Sequence, residues 1–136
     1  MTNVRCHCGL VQVQISGEPV AQFYCHCDHC QQAHGAAYLP VSMYRADHVK
    51  VMSGDPTMWK LHATPRATCR VCGTRVFAEP PGLGMRAVMA QLLPEGAFEP
   101  KFHVQCRHAR LPVKDALPHF KGFPAAFGGS DDRVDW

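Results

Sequence analysis

No stretch of this 136-residue chain approaches the run of apolar residues needed to cross a bilayer. Its first residues, Met1-Thr2-Asn3-Val4-Arg5-Cys6, lack the basic start and apolar block of a signal peptide. Low-complexity segments and domain linkers are also missing, and nothing repeats beyond two Cys-His-Cys segments. Neither sign of charge is massed: the net charge is +3, and the basic residues are scattered. Together these absences argue against a membrane span and export, and give nucleic-acid binding no support. They leave one domain, expected in the cytoplasm with reduced cysteines, whose slight positive charge suits a small anionic molecule. Arg66, Arg70 and Arg75 gather near one cysteine pair and read as a solvated hairpin.

Cysteine is what the chain has in plenty. Seven of the eight fall into three tight groups: Cys6/Cys8, Cys25/Cys27/Cys30 and Cys69/Cys72. Thiols one or two residues apart pair poorly with each other but grip one ion well. The two pairs add up to a closed four-thiolate zinc site. Cys8 and Cys72 are each followed by glycine, as a tight turn that aims amides at sulfur requires. Two disulfides or buried free thiols are the alternative reading.

The triplet is different in kind. Cys25, Cys27 and Cys30 have no fourth partner nearby, so they offer three ligands and a vacancy. Asp28 with Gln31 reads as a capping box, starting a short helix that stops near Gly35. The positive end of its dipole would favour ionised sulfur. Alternatively, Cys106 or a histidine closes the sphere and the site is purely structural.

Between these groups the signals are short strands and turns. Val11, Val13 and Ile15 alternate with Gln12 and Gln14 over 10–15. Further strands are expected over 23–25, 36–43, 49–52, 57–62, 74–78, 85–92 and 101–105. Ser53-Gly54-Asp55-Pro56 is a turn, and the stretch from Gly122 is expected to be an extended tail. The fold class is therefore mostly β, with zinc-stapled hairpins.

Cys6-His7-Cys8-Gly9, Tyr24-Cys25-His26-Cys27-x-x-Cys30 and Cys69-x-x-Cys72-Gly73 resemble the glutathione-dependent formaldehyde-activating family, which includes the centromere protein V domain. Ala33-His34-Gly35 and Leu117-Pro118-His119-Phe120 are similar to further stretches of that family, so the likeness covers nearly the whole chain. It implies a compact twisted β fold like that of methionine sulfoxide reductase B, with the domain over 1–123 and a tail over 124–136. Two zinc ions per chain are implied: a structural one on Cys6, Cys8, Cys69 and Cys72, and a catalytic one on Cys25, Cys27 and Cys30. The implied activity is that of a carbon–sulfur lyase, S-(hydroxymethyl)glutathione synthase-like, acting on glutathione and formaldehyde. Gln31 and Gln32 depart from the basic pair common after the triplet.

Two other classes stand beside this enzyme: a zinc-stapled binding or scaffold module, and a redox enzyme with Cys106 as nucleophile. His7 and His26, between ligands, are expected to point away from the metal. His29 and His34 are candidate proton shuttles with surface histidine as the simpler role. Tyr24, Trp59, Phe23, Phe77, Phe98 and Phe102 are expected in the core, with Cys106 by default a small buried hydrophobe.

Overall fold

A computed structural model describes every residue, Met1–Trp136. In chain order its elements are β1 (Thr2–Arg5), β2 (Gln12–Ile15), β3 (Ala21–Cys25), α1 (Asp28–His34), β4 (Leu39–Arg45) and β5 (Val49–Ser53). There follow β6 (Thr57–Leu61), β7 (Thr64–Thr68), β8 (Arg75–Ala78), β9 (Met85–Met89) and β10 (Phe102–Val104), with four single-turn 3-10 helices between and after them. The chain is mostly β, as its short alternating segments require. It divides into two compact units, one made of 1–21 and 42–98, the other of 22–41 and 99–136.

The first unit contains the three-stranded sheet β1-β2-β5 and the antiparallel run β9-β8-β7-β6. Thr2 faces Ile15 and Val4 faces Val13 across β1 and β2. Val11, Val13 and Ile15 are at most 1% exposed and pack with Val4, Tyr44, Val49, Val76, Phe77 and Val88. Burial of each such aliphatic side chain contributes about 1.5–3 kcal/mol, so the period-2 pattern sets which face of β2 turns inward. The strand starts at Gln12, two residues later than expected, because Val11 is occupied in closing a turn on Cys6.

The same unit holds the strand that the sequence reading omitted. β7 contains Pro65, and proline within a run argues against a strand because it cannot donate to the ladder. Here Pro65 faces Lys60 in the β6–β7 hairpin, and its carbonyl accepts from the Glu79 amide at 2.8 Å. Arg66, expected in a solvated hairpin, is instead 4% exposed. The turn at Ser53-Gly54 depends on glycine: Gly54 has φ +93°, and a Cβ there would collide with the Leu10 carbonyl.

In the second unit β10 lies parallel to β3, with Phe102 opposite Phe23, His103 opposite Tyr24 and Val104 opposite Cys25. Helix α1 follows β3 directly and ends at Gly35, whose amide donates to the Gln31 carbonyl. Ala36 donates to the same carbonyl, which delays β4 to Leu39 rather than Ala36. The segment 124–136 packs against this unit. Phe120 bridges to Arg133, the Val134 amide donates to the His119 carbonyl, and the Trp136 ring lies 4.8 Å from that of His119.

Candidate metal centres

Cys6, Cys8, Cys69 and Cys72 converge in the first unit, although 61 positions separate Cys8 from Cys69. Each pair sits on a tight turn. Gly9 and Gly73, at φ +84° and +77°, donate their amides to the Cys6 and Cys69 carbonyls. Each turn then closes as a short ladder: Cys6 donates to the Val11 carbonyl and Cys69 to that of Thr74. The reversal aims amides at sulfur. Val11 N–H donates to Cys6 Sγ at 3.3 Å, and the Val71 and Cys72 amides donate to Cys69 Sγ at 3.4 and 3.5 Å.

Sulfur separations favour a metal over disulfides. Cys6 and Cys8 Sγ are 3.6 Å apart, and Cys8 and Cys69 Sγ 3.8 Å. A disulfide requires about 2.05 Å. Four sulfurs at about 2.3 Å from a tetrahedral zinc stand about 3.8 Å from one another. All eight cysteines are free, and these four fit a metal of that kind. Thr74 Oγ1 lies 3.1 Å from Cys72 Sγ, and chiefly through that contact the Cys72 thiol is pulled down to about 5. Amides and hydroxyl thus favour anionic sulfur, the form that binds metal.

The triplet assembles in the second unit, at the junction of β3 and α1. Cys25 ends the strand and is buried, while Cys27 and Cys30 are half-buried. Cys25 and Cys30 Sγ are 3.6 Å apart, and the ligand atoms of all three lie within 4.8 Å of one another. Cys27, not Asp28, is the N-cap: its sulfur accepts the Cys30 amide at 3.3 Å. A thiolate serves here because it lies one residue nearer the strand and offers an anionic acceptor. Hydrogen bonding from Cys25, then Cys30, holds the Cys27 thiol down to about 2, while hydrogen bonding to Cys27, then Cys30, together with burial, pushes Cys25 well up.

Gln31, at a position where a basic residue was the comparison, turns back toward the protein. Its side-chain amide donates to the His26 carbonyl at 2.7 Å and the His108 carbonyl at 2.9 Å, bracing α1. Gln32 and His29 are exposed and His34 is half-buried. His7 is exposed as well, whereas His26 is wholly buried. His26 does turn away from the triplet: its Nε2 is 2.9 Å from His103 Nδ1, and its ring stacks 5.0 Å from Tyr38. Burial, assisted by His103 and His119, lowers its pKa to about 4.

The sequence reading did not single out His103, Asp115 and His119 as a group. His103 Nε2 is 2.8 Å from Asp115 Oδ2, and His119 Nε2 is 3.0 Å from Asp115 Oδ1. No local spacing announces them, since β10 delivers one and a loop the other two. The sequence signals are the family-like stretch around His119 and the Asp115/His119 separation of four.

Cys106 joins none of these groups. It is 4% exposed, and burial followed by the negative charge of Asp115 pushes its thiol up to about 12. A thiol of that kind is a poor nucleophile. In native protein at pH 8, iodoacetamide is expected to leave Cys106 unmodified, and to modify it after denaturation, as peptide mass mapping would read. Fast native alkylation would restore the Cys106 redox reading.

The chain belongs to the glutathione-dependent formaldehyde-activating enzyme family, whose description matches residues 1–108. That span contains all seven clustered cysteines and ends before Asp115 and His119. No curated protein matches the chain. Among solved structures it is similar to a Rhodobacter sphaeroides protein determined as a structural-genomics target, at TM-score 0.57 and 21% identity. The alignment covers 69% of this chain and 88% of that one, a likeness of fold.

Proposed function

We propose that the protein is a zinc-dependent enzyme of the carbon–sulfur lyase type, joining glutathione to formaldehyde or a closely related thiol to a small electrophile. One observation carries the reading: three cysteine sulfurs, one short of a closed zinc sphere, converge in a chain of this family. Cys25, Cys27 and Cys30 are assigned the catalytic zinc. Cys6, Cys8, Cys69 and Cys72 are assigned a closed structural one. The reaction belongs to the cytoplasm, where glutathione is abundant and thiols stay reduced.

Zinc held by the triplet would lower the pKa of an incoming thiol and raise its thiolate fraction, and the thiolate is the nucleophile. The chain's own residues supply position. Cys25 anchors the group in the buried end of β3, and the half-buried Cys27 and Cys30 leave it approachable from solvent. The Cys30 amide fixes the direction of Cys27 Sγ, and Gln31 holds the helix that Cys27 caps and that carries Cys30. In the reaction the thiol loses its proton and a carbon–sulfur bond replaces the π bond of formaldehyde. The carbonyl oxygen takes a proton, giving S-hydroxymethylglutathione with no net oxidation. The reverse step is carbon–sulfur cleavage.

Binding to zinc-loaded protein tests this directly. Calorimetry is expected to show glutathione binding more tightly than S-methylglutathione, which cannot offer a thiolate, with the difference lost in Cys27→Ser. Equal binding of both ligands, or of neither, rejects the mechanism for this substrate and leaves the scaffold reading.

A further inference from the structure

The group formed by His103, Asp115 and His119 lies outside both cysteine sites, and its construction points to a ligand. His103 is fully buried and His119 is 7% exposed, so both imidazoles are out of reach of bulk water. One ring nitrogen of each histidine and a carboxylate oxygen of Asp115 lie within 4.8 Å of one another, with each Nε2 close to the carboxylate. Backbone pairing holds them there. His103 donates its amide to the Pro118 carbonyl and accepts from the Phe120 amide, which sets His119 beside His103. The two rings stand 4.5 Å apart, tilted by 30°. The Leu117 amide donates to Asp115 Oδ1 at 3.0 Å and turns the carboxylate toward both rings.

Hydrogen bonding within the group leaves one atom over. Asp115 takes His103 Nε2 in a well-formed hydrogen bond, but His119 Nε2, near as it is to Oδ1, has no hydrogen-bond partner and is buried. A buried polar atom without a partner costs about 1–3 kcal/mol, so it calls for an explanation. A cation among the three donors supplies one. His103 would then ligate through Nε2 while its Nδ1–H donates to His26 Nε2, 2.9 Å away, the arrangement that orients metal-bound histidines.

We propose that His103, Asp115 and His119 form a third metal site, taking a divalent first-row transition ion such as zinc or cobalt. Two imidazoles and a carboxylate suit that class of ion, and three protein ligands leave room for water on the side where Asp115 meets solvent. Such an ion clamps the loop 106–119 onto β10.

Cobalt loading separates this site from the thiolate sites, since only sulfur ligands produce the intense near-ultraviolet charge-transfer band. His119→Gln and Asp115→Asn are expected to bind one metal equivalent fewer than wild type by elemental analysis, with the band unchanged. Equal metal content in wild type and both variants overturns the proposal. Wild-type protein provides a measurement that needs no substitution. In histidine-selective nitrogen-15 spectra, zinc is expected to shift Nε2 of His103 and His119, whatever the occupancy of the cysteine sites. If neither resonance moves at saturating zinc, there is no such site.

Discussion

Replacing Cys8 or Cys72 by serine is expected to abolish cooperative folding, whereas Cys27→Ser is expected to leave the melting transition largely in place. The reason is loop closure. The four-cysteine group joins turns 61 positions apart, and with them β1–β2 and β7–β8, whereas Cys25 and Cys30 are only five positions apart. A structural zinc contributes about 10–16 kcal/mol of apparent binding free energy in small domains. A domain's whole stability is about 5–15 kcal/mol. Loss of one of four ligands therefore removes enough to unfold the chain. Thermal melting by circular dichroism distinguishes the two classes, with excess chelator as a second route to the same loss. Equal falls in melting temperature for Cys8→Ser and Cys27→Ser would reject the division into a structural and a catalytic site.

The second large effect is on rate. At pH 7 a thiol of pKa about 8.5 is only about 3% ionised, so full ionisation raises the nucleophile concentration about 30-fold. Zinc-loaded protein is expected to accelerate S-hydroxymethylglutathione formation by at least that factor, with positioning adding to it. Cys27→Ser is expected to fall to the rate in buffer. The acceleration should grow as pH drops from 8 to 6, because the free thiolate in solution diminishes while the bound thiol stays ionised. Because the addition also proceeds unaided, the comparison with Cys27→Ser at equal concentration is the decisive one. Wild type no faster than the variant, in protein that does bind glutathione, would assign the site to a different small electrophile.

Much of this molecule could be read along the chain. The two-plus-three-plus-two cysteine grouping is local, so it stated in advance which sulfurs would stand together and which group would be one ligand short. The alternation of Val11, Val13 and Ile15 is equally local, and the structure turns that face inward. Gly9 and Gly73 adopt the positive φ that a turn against sulfur needs. Each of these follows from spacings of one to three residues, where backbone geometry leaves few choices.

The tertiary structure decided what short spacing cannot. Pro65 disfavours a strand by its own chemistry, but it faces Lys60 in the hairpin and its carbonyl still takes the Glu79 amide, so β7 stays in the sheet. The helix cap is Cys27 rather than Asp28, its sulfur accepting the Cys30 amide at 3.3 Å. Gln31 read along the chain as a capping-box partner of Asp28, but the fold brings the His108 carbonyl to it across 77 positions. His103, Asp115 and His119 meet only because β10 runs parallel to β3 and the closing loop pairs back on His103. The sequence by itself determined the identity and local grouping of the sulfur donors, since those depend on bonds along the chain. Burial of the histidines, and the carboxylate between two of them, came from long-range backbone pairing, to which no local pattern responds.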